Sequence, residues 1–196
     1  VETLASVLGL TPGASTRAEH FYDLGSGAGK IVMHMVVKGY ALKATGVELN
    51  SARHDAAVKL ASELLAPVGM PYVSSASVPF DEGVRFLQGD MLEADLSDAT
   101  VIYVNQACYP PHVTEGLLRK ILHEAPKLKA VLSARPLGPL EASGKFVRDR
   151  APSSPSSRFL DLPMTLYDYG TPLSLYHRVG FSEGKTVEPT RSIGAR

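Results

Sequence analysis

The sequence predicts an α/β fold: a doubly wound, mostly parallel sheet with a C-terminal antiparallel hairpin. Three observations predict it. Strand-like and helix-like stretches alternate from residue 20 to residue 135. A glycine-rich turn, Gly25-Ser26-Gly27-Ala28-Gly29, follows the first strand-like stretch. Acidic residues Asp23, Glu48 and Asp90 stand at or near the ends of the first three strand-like stretches.

Each element has a local reason. Residues 4–10 form a short apolar helical stretch, and a polar link with Pro12 and Gly13 follows. HFYDLGS is the first strand, and KIVMHMVVK is a helix closed by Gly39. ATGVEL is the second strand. Asn50 and Ser51 can cap the next helix, which is expected to turn Ala56, Leu60, Leu64 and Leu65 to the core. Residues 71–83, rich in Ser and Pro, read as a loop. VRFLQGD is the third strand, and TVIYVNQ is a fourth whose continuous apolar run suits a buried parallel strand. Pro111 can start the helix that follows. KAVLSAR is the fifth strand. Residues 136–158 hold four prolines and no periodicity, so they read as a long loop. MTLYDYG and TPLSLYHRV, around Gly170, read as the closing hairpin.

Composition narrows the class. With 196 residues, 44% hydrophobic and 20% charged, the chain suits one globular domain over residues 1–196. It does not open with methionine, so it is expected to be a fragment lacking N-terminal elements. No run of about 20 apolar residues predicts a membrane span. Cys108 is the single cysteine, which excludes an internal disulfide or a cysteine zinc site and suits a reducing compartment, nucleus or cytoplasm; it is expected to be a small buried filler. No metal-ligand spacing is present among the six histidines. Lys and Arg (20) balance Asp and Glu (20), so any DNA contact must use regions not evident in this sequence.

The glycine turn sits where doubly wound sheets bind ligands, at the carboxyl end of the first strand. A Walker phosphate loop requires Ser or Thr after its lysine, and Ile31 follows Lys30. A dinucleotide fingerprint requires a third glycine where Lys30 stands. Asp23-x-Gly25-x-Gly27-x-Gly29 instead resembles the first motif of class I S-adenosylmethionine-dependent methyltransferases. That resemblance implies S-adenosylmethionine as cofactor. Its amino-acid tail would lie on Asp23 and the glycine backbone, its ribose hydroxyls on Glu48, and its adenine on Asp90 and Met91.

A narrower resemblance covers nearly the whole chain. FYDLGSGAGK, GVEL, QGDML, TVIYVNQACYPP, LSARPL and the Gly170, Pro172, Ser174, Tyr176 pattern are similar to the Dot-one family, the disruptor-of-telomeric-silencing methyltransferases of histone H-three lysine. The resemblance implies a nuclear enzyme acting on nucleosomes. Its cofactor site would comprise Glu2, Thr3, Asp23, Leu24, Gly25, Ser26, Gly27, Gly29, Lys30, Glu48, Asp90, Met91 and Asn105. Asn105 would stand beside the transferred methyl group. Tyr176 would help line the lysine channel, with Tyr103, Tyr109, Tyr167 and Tyr169 as further candidates for its wall. The chain departs from the family pattern at Met91 (Phe), Gln106 (Asn) and Arg135 (Lys), and it has no tryptophan for the channel. A class I methyltransferase with a non-histone protein or small-molecule acceptor is the alternative. A binding module without activity and a nicotinamide oxidoreductase fit the residues less well.

Overall fold

The computed structural model describes residues 2–13, 17–149 and 173–180. In chain order the elements are α1 (Glu2–Val7), β1 (Ala18–Leu24), α2 (Lys30–Val37), β2 (Ala41–Glu48), α3 (Ser51–Leu64), β3 (Tyr72–Val73), β4 (Gly83–Gln88), β5 (Val101–Val104), α4 (Pro111–Glu124), β6 (Ala130–Ser133), α5 (Gly138–Ala142), β7 (Phe146–Arg148) and β8 (Ser174–Arg178). The strands form one sheet in the order β3-β4-β2-β1-β5-β6-β8-β7. Pairing is parallel throughout except at β8, which runs antiparallel to both β6 and β7. The order reverses between β1 and β5, which is the switch point where such sheets bind ligands.

The sheet is buried on both faces. One core gathers Phe21, Val32, Met35, Ala57, Ala61, Val84, Phe86 and Tyr103. The other gathers Leu24, Ile102, Val104, Leu117, Ile121, Val131, Leu140, Phe146 and Tyr176. Burial on both faces explains why the central strands read as continuous apolar runs.

Three expectations need correction. The predicted face of α3 holds in part: Leu65 is buried and Leu60 packs half-buried against the core, as expected, but Ala56 and Leu64 are exposed, and His54, Ala57 and Ala61 are buried in their place. Small residues lie inward because the helix packs close to the sheet, with Ala57 near Gly29. Residues 136–158 are not all loop, since α5 and β7 lie within them, held by buried Leu140 and Phe146. A C-terminal antiparallel arrangement is present, as expected, with β7 pairing β8 among the described residues; the MTLYDYG stretch, expected as one arm of the closing hairpin, lies outside the described residues. Cys108, expected as a buried filler, is exposed.

Candidate cofactor and acceptor site

The glycine turn joins β1 to α2. Gly25 and Ser26 both donate N–H to the Val47 carbonyl (2.9 and 3.1 Å), which fastens the turn to the end of β2. Gly25, Gly27 and Gly29 have φ of 89°, 55° and 71°, in the left-handed region that favours glycine. Their neighbours differ. A Cβ on Gly25 would collide with the Tyr109 hydroxyl, and one on Gly29 would collide with the Phe86 ring. Only at Gly27 would it meet nothing within 4 Å. Two of the three glycines thus make room for the protein itself, and Gly27 presents open backbone.

Beneath the turn lie two carboxylates. Glu48 ends β2 and is 5% exposed. Its Oε2 accepts the Gly27 N–H at 2.8 Å, its Oε1 accepts the Asn50 N–H at 2.9 Å, and Arg53 Nη1 lies 3.8 Å from Oε1. Asn50 in turn caps α3, its side chain accepting the Arg53 N–H. Asp23, near the end of β1, is 3% exposed. No donor among the described residues makes a hydrogen bond to its carboxylate. Burial, and then the charge of Glu48, push its pKa up to about 7. An ionised carboxylate there needs a cation.

The remaining positions are spread along the same sheet edge. Asp90 follows β4, is exposed, and accepts the Leu92 N–H at 2.8 Å. Met91 packs half-buried against the second core. Leu24 is fully buried, Ser26 is half-buried against Gly46, and Lys30 is exposed at the start of α2. Asn105 follows β5 half-buried, and its Oδ1 accepts the Ala107 N–H at 3.4 Å, capping the 3-10 turn Gln106–Cys108. Glu2 and Thr3 begin α1, but their side chains lie outside what is described.

The tyrosines divide. Tyr176 is placed in the core instead of on a channel wall: it pairs with Val131 in mid-sheet, has no exposed surface, and its hydroxyl accepts the Leu137 N–H at 2.6 Å. Antiparallel β8 brings Ser174, opposite Ser133, to the ligand edge instead. Tyr103 is also buried, opposite Asp23. Tyr167 and Tyr169 lie outside the described residues. Among the described tyrosines, Tyr109 reaches the glycine turn, its hydroxyl donating to the Leu24 carbonyl at 3.0 Å. With Gln106 and Arg135 it also lines an open pocket of about 340 Å³ beside the 3-10 turn. Sequence reasoning listed Tyr109 as one tyrosine among several and gave Gln106 no role.

Among the described residues no group of three acidic, histidine or cysteine side chains could hold a metal, and no helix is long and apolar enough to cross a membrane.

This architecture is that of the class I S-adenosylmethionine-dependent methyltransferases. Solved structures of that fold superpose on most of the chain. An RNA methyltransferase from Salinibacter ruber, in complex with S-adenosyl-L-homocysteine, is 21% identical (TM-score 0.52; 96% of this chain, 95% of that one). TrmK from M. capricolum, in complex with the cofactor product S-adenosyl-homocysteine, is 11% identical (TM-score 0.57; 94% and 71%). An uncharacterized protein from Listeria monocytogenes is 13% identical (TM-score 0.61; 97% and 70%). No curated protein sequence matches. Residues 10–156 match the family described as "Histone methylation protein DOT1", and the chain belongs to that family.

Proposed function

We propose that this protein transfers the methyl group of S-adenosylmethionine to a lysine of histone H-three in nucleosomes, in the nucleus. One observation carries the cofactor reading. The Asp23 carboxylate is buried, lacks a donor among the described residues, and lies under an open glycine backbone beside Glu48. It fits the ammonium of the cofactor's amino-acid tail. Phosphate-bearing cofactors would meet two buried acids there and be repelled. Membership of the family supports the histone substrate.

When bound, the cofactor supplies a sulfonium-activated methyl group. The chain's own residues have to position and exclude. Asp23 and Gly27 orient the tail, Glu48 meets the ribose hydroxyls, and Asp90 with Met91 takes the adenine. Glu48 already accepts two backbone N–H groups, so ribose binding has to share or replace those bonds. Asn105, just after β5, orients the acceptor nitrogen in this reading. Catalysis by alignment of nitrogen, methyl carbon and sulfur depends on this positioning.

Label transfer from S-adenosylmethionine to nucleosomes, free histones, RNA and histone-depleted extract tests the proposal. Histone H-three label on nucleosomes supports it. Label confined to RNA or extract would overturn the histone substrate while keeping the methyltransferase reading. The balanced net charge favours that second reading, a non-histone protein or small-molecule acceptor, over any acceptor that demands a basic surface.

A further inference from the structure

We infer that the open pocket beside β3 is a docking site for an extended basic segment of a partner protein, which adds a strand to β3 and lays an apolar side chain in the pocket. The pocket measures about 470 Å³ and lies among Leu42, Pro71, Val73, Phe80, Asp81 and Glu82. These residues stand near the start of β2, in or next to β3, and just before β4. The pocket is therefore at the amino ends of the parallel strands, whereas Asp23 and Glu48 are at the carboxyl ends of theirs. The length of β4 sets the two edges roughly 20 Å apart, at about 3.3 Å per residue. A ligand in the pocket leaves the cofactor site free.

The first argument is the backbone of β3. This strand ends the sheet, and no described strand lies beyond it. Tyr72 pairs with Val84, and the Val84 N–H donates to the Pro71 carbonyl at 3.0 Å. In a parallel ladder, the residue opposite such a donor turns its own N–H and C=O the other way. Tyr72 thus presents a donor and an acceptor on the outer edge, and neither meets a partner among the described residues. An open edge is a template for a further strand, and pockets for its side chains give specificity. Pro71 and Val73, on either side of Tyr72, both line the pocket, so an added strand passes directly beside it.

The second argument is charge. Asp81 and Glu82 are exposed, and among the described residues neither carboxylate has an ion pair or hydrogen bond and no cation lines the pocket. The nearby cations are engaged elsewhere. Lys43 donates to Asp98 at 3.2 Å, and Arg85 donates to the Val78 carbonyl at 2.7 Å. Both also hold the Phe80 ring, 5.8 and 4.4 Å from its centroid. The uncompensated charge is negative, and its complement is a segment bearing Lys or Arg. The same charge disfavours a second copy of this chain, because pairing two β3 edges sets like carboxylates against each other. The apolar walls require an apolar side chain between the basic ones. Leu64, Val68 and Val78, in the segments that lead into and out of β3, add exposed apolar surface.

The test uses a fluorescent hexapeptide of alternating lysine and leucine, titrated onto the 196-residue protein. Its glutamate-for-lysine counterpart, its fully N-methylated form and hexylammonium are run in parallel, and sedimentation reports self-association without peptide. Saturable binding of the lysine peptide is expected, weakened at least fivefold by N-methylation and in the double variant Asp81→Lys, Glu82→Lys. Both acids are exposed, so the double variant should keep its Tm, and the peptide comparisons decide the question without it. No saturable binding, or equal affinity in the double variant, overturns the inference. So does equal binding of the glutamate or N-methylated peptide. Displacement by hexylammonium at equal concentration overturns the strand in favour of a small organic cation. A dimer that the double variant abolishes overturns the partner protein in favour of a second copy.

Discussion

The Tyr109 hydroxyl fills the notch that Gly25 leaves open, and from there donates to the Leu24 carbonyl at 3.0 Å. A Gly25→Ala change has two consequences. Its Cβ collides with the hydroxyl, and φ of 89° strains any side chain. Cofactor affinity, measured by calorimetry, should fall at least tenfold. Tyr109→Phe removes the colliding oxygen, so the double variant should recover part of the loss. If Gly25→Ala and its double variant bind equally, the two residues are not coupled.

Asp23 predicts an unusual pH response. Its pKa is raised in the folded state to about 7, from 3.8. The folded state then holds more protons than the unfolded one between those values. Without cofactor, this group's contribution to stability is therefore lost as pH rises from about 4 to 7. Asp23→Asn should raise the Tm of the free protein at pH 8, by roughly 2–4 °C per kcal/mol recovered. The same change should weaken cofactor binding more than tenfold, because the ammonium loses its charge partner. Wild-type affinity should itself fall below pH 7 as Asp23 protonates. Flat affinity between pH 5.5 and 8 would contradict the assigned role.

Glu48 has a structural duty that a strand-end acid does not announce in sequence. It fastens the glycine turn to α3's cap through the Gly27 and Asn50 N–H groups. Glu48→Ala should therefore lower both cofactor affinity and Tm, the latter by a loss of about 1–3 kcal/mol. Glu48→Gln, which keeps one acceptor oxygen, should lose less of each. An unchanged Tm in Glu48→Ala would show that the turn is held without it.

Legibility in the sequence followed the range of the forces involved. The alternation of strands and helices was readable because the central strands are buried on both faces, which writes continuous apolar runs such as VIYV. Once the strands were placed, Asp23, Glu48 and Asp90 had to stand near their carboxyl ends. The partners of the glycines were not readable: Tyr109 is 85 residues from Leu24, and nothing local marks the contact. β7 was hidden because three residues with one apolar anchor, Phe146, carry no period. The register of β8 decided the fate of Tyr176. Opposite Val131 it is core, and no pattern in LSLYHRV distinguishes that from a place at the ligand edge.

The opposite end of the sheet carries a polar cluster that predicts acid sensitivity unrelated to the cofactor. His20, 1% exposed, has Nδ1 2.9 Å from Asp98 Oδ2 and Nε2 2.8 Å from the Thr45 hydroxyl. Tyr22 donates to Asp98 Oδ1 at 2.9 Å and Lys43 to Oδ2 at 3.2 Å. Burial lowers the pKa of His20, against the opposing pull of Asp98. Stability from the neutral imidazole is thus complete above 6.5, its ordinary value, and is lost as pH falls from there toward the lowered one. Burial alone would raise the Asp98 carboxyl, but its bonds from His20, Tyr22 and Lys43 outweigh that and hold it below its usual range. Its contribution persists above about pH 4 and fades in stronger acid. Melting curves should show Tm falling below pH 6.5 in the wild type, and a lower Tm for Asp98→Ala at neutral pH. His20→Gln should flatten that fall below pH 6.5. Cofactor affinity of the folded Asp98→Ala protein should be unchanged, because Asp98 precedes β5 and lies at the far end of the sheet from Glu48. A loss of affinity without a loss of Tm would refute the separation of the two ends.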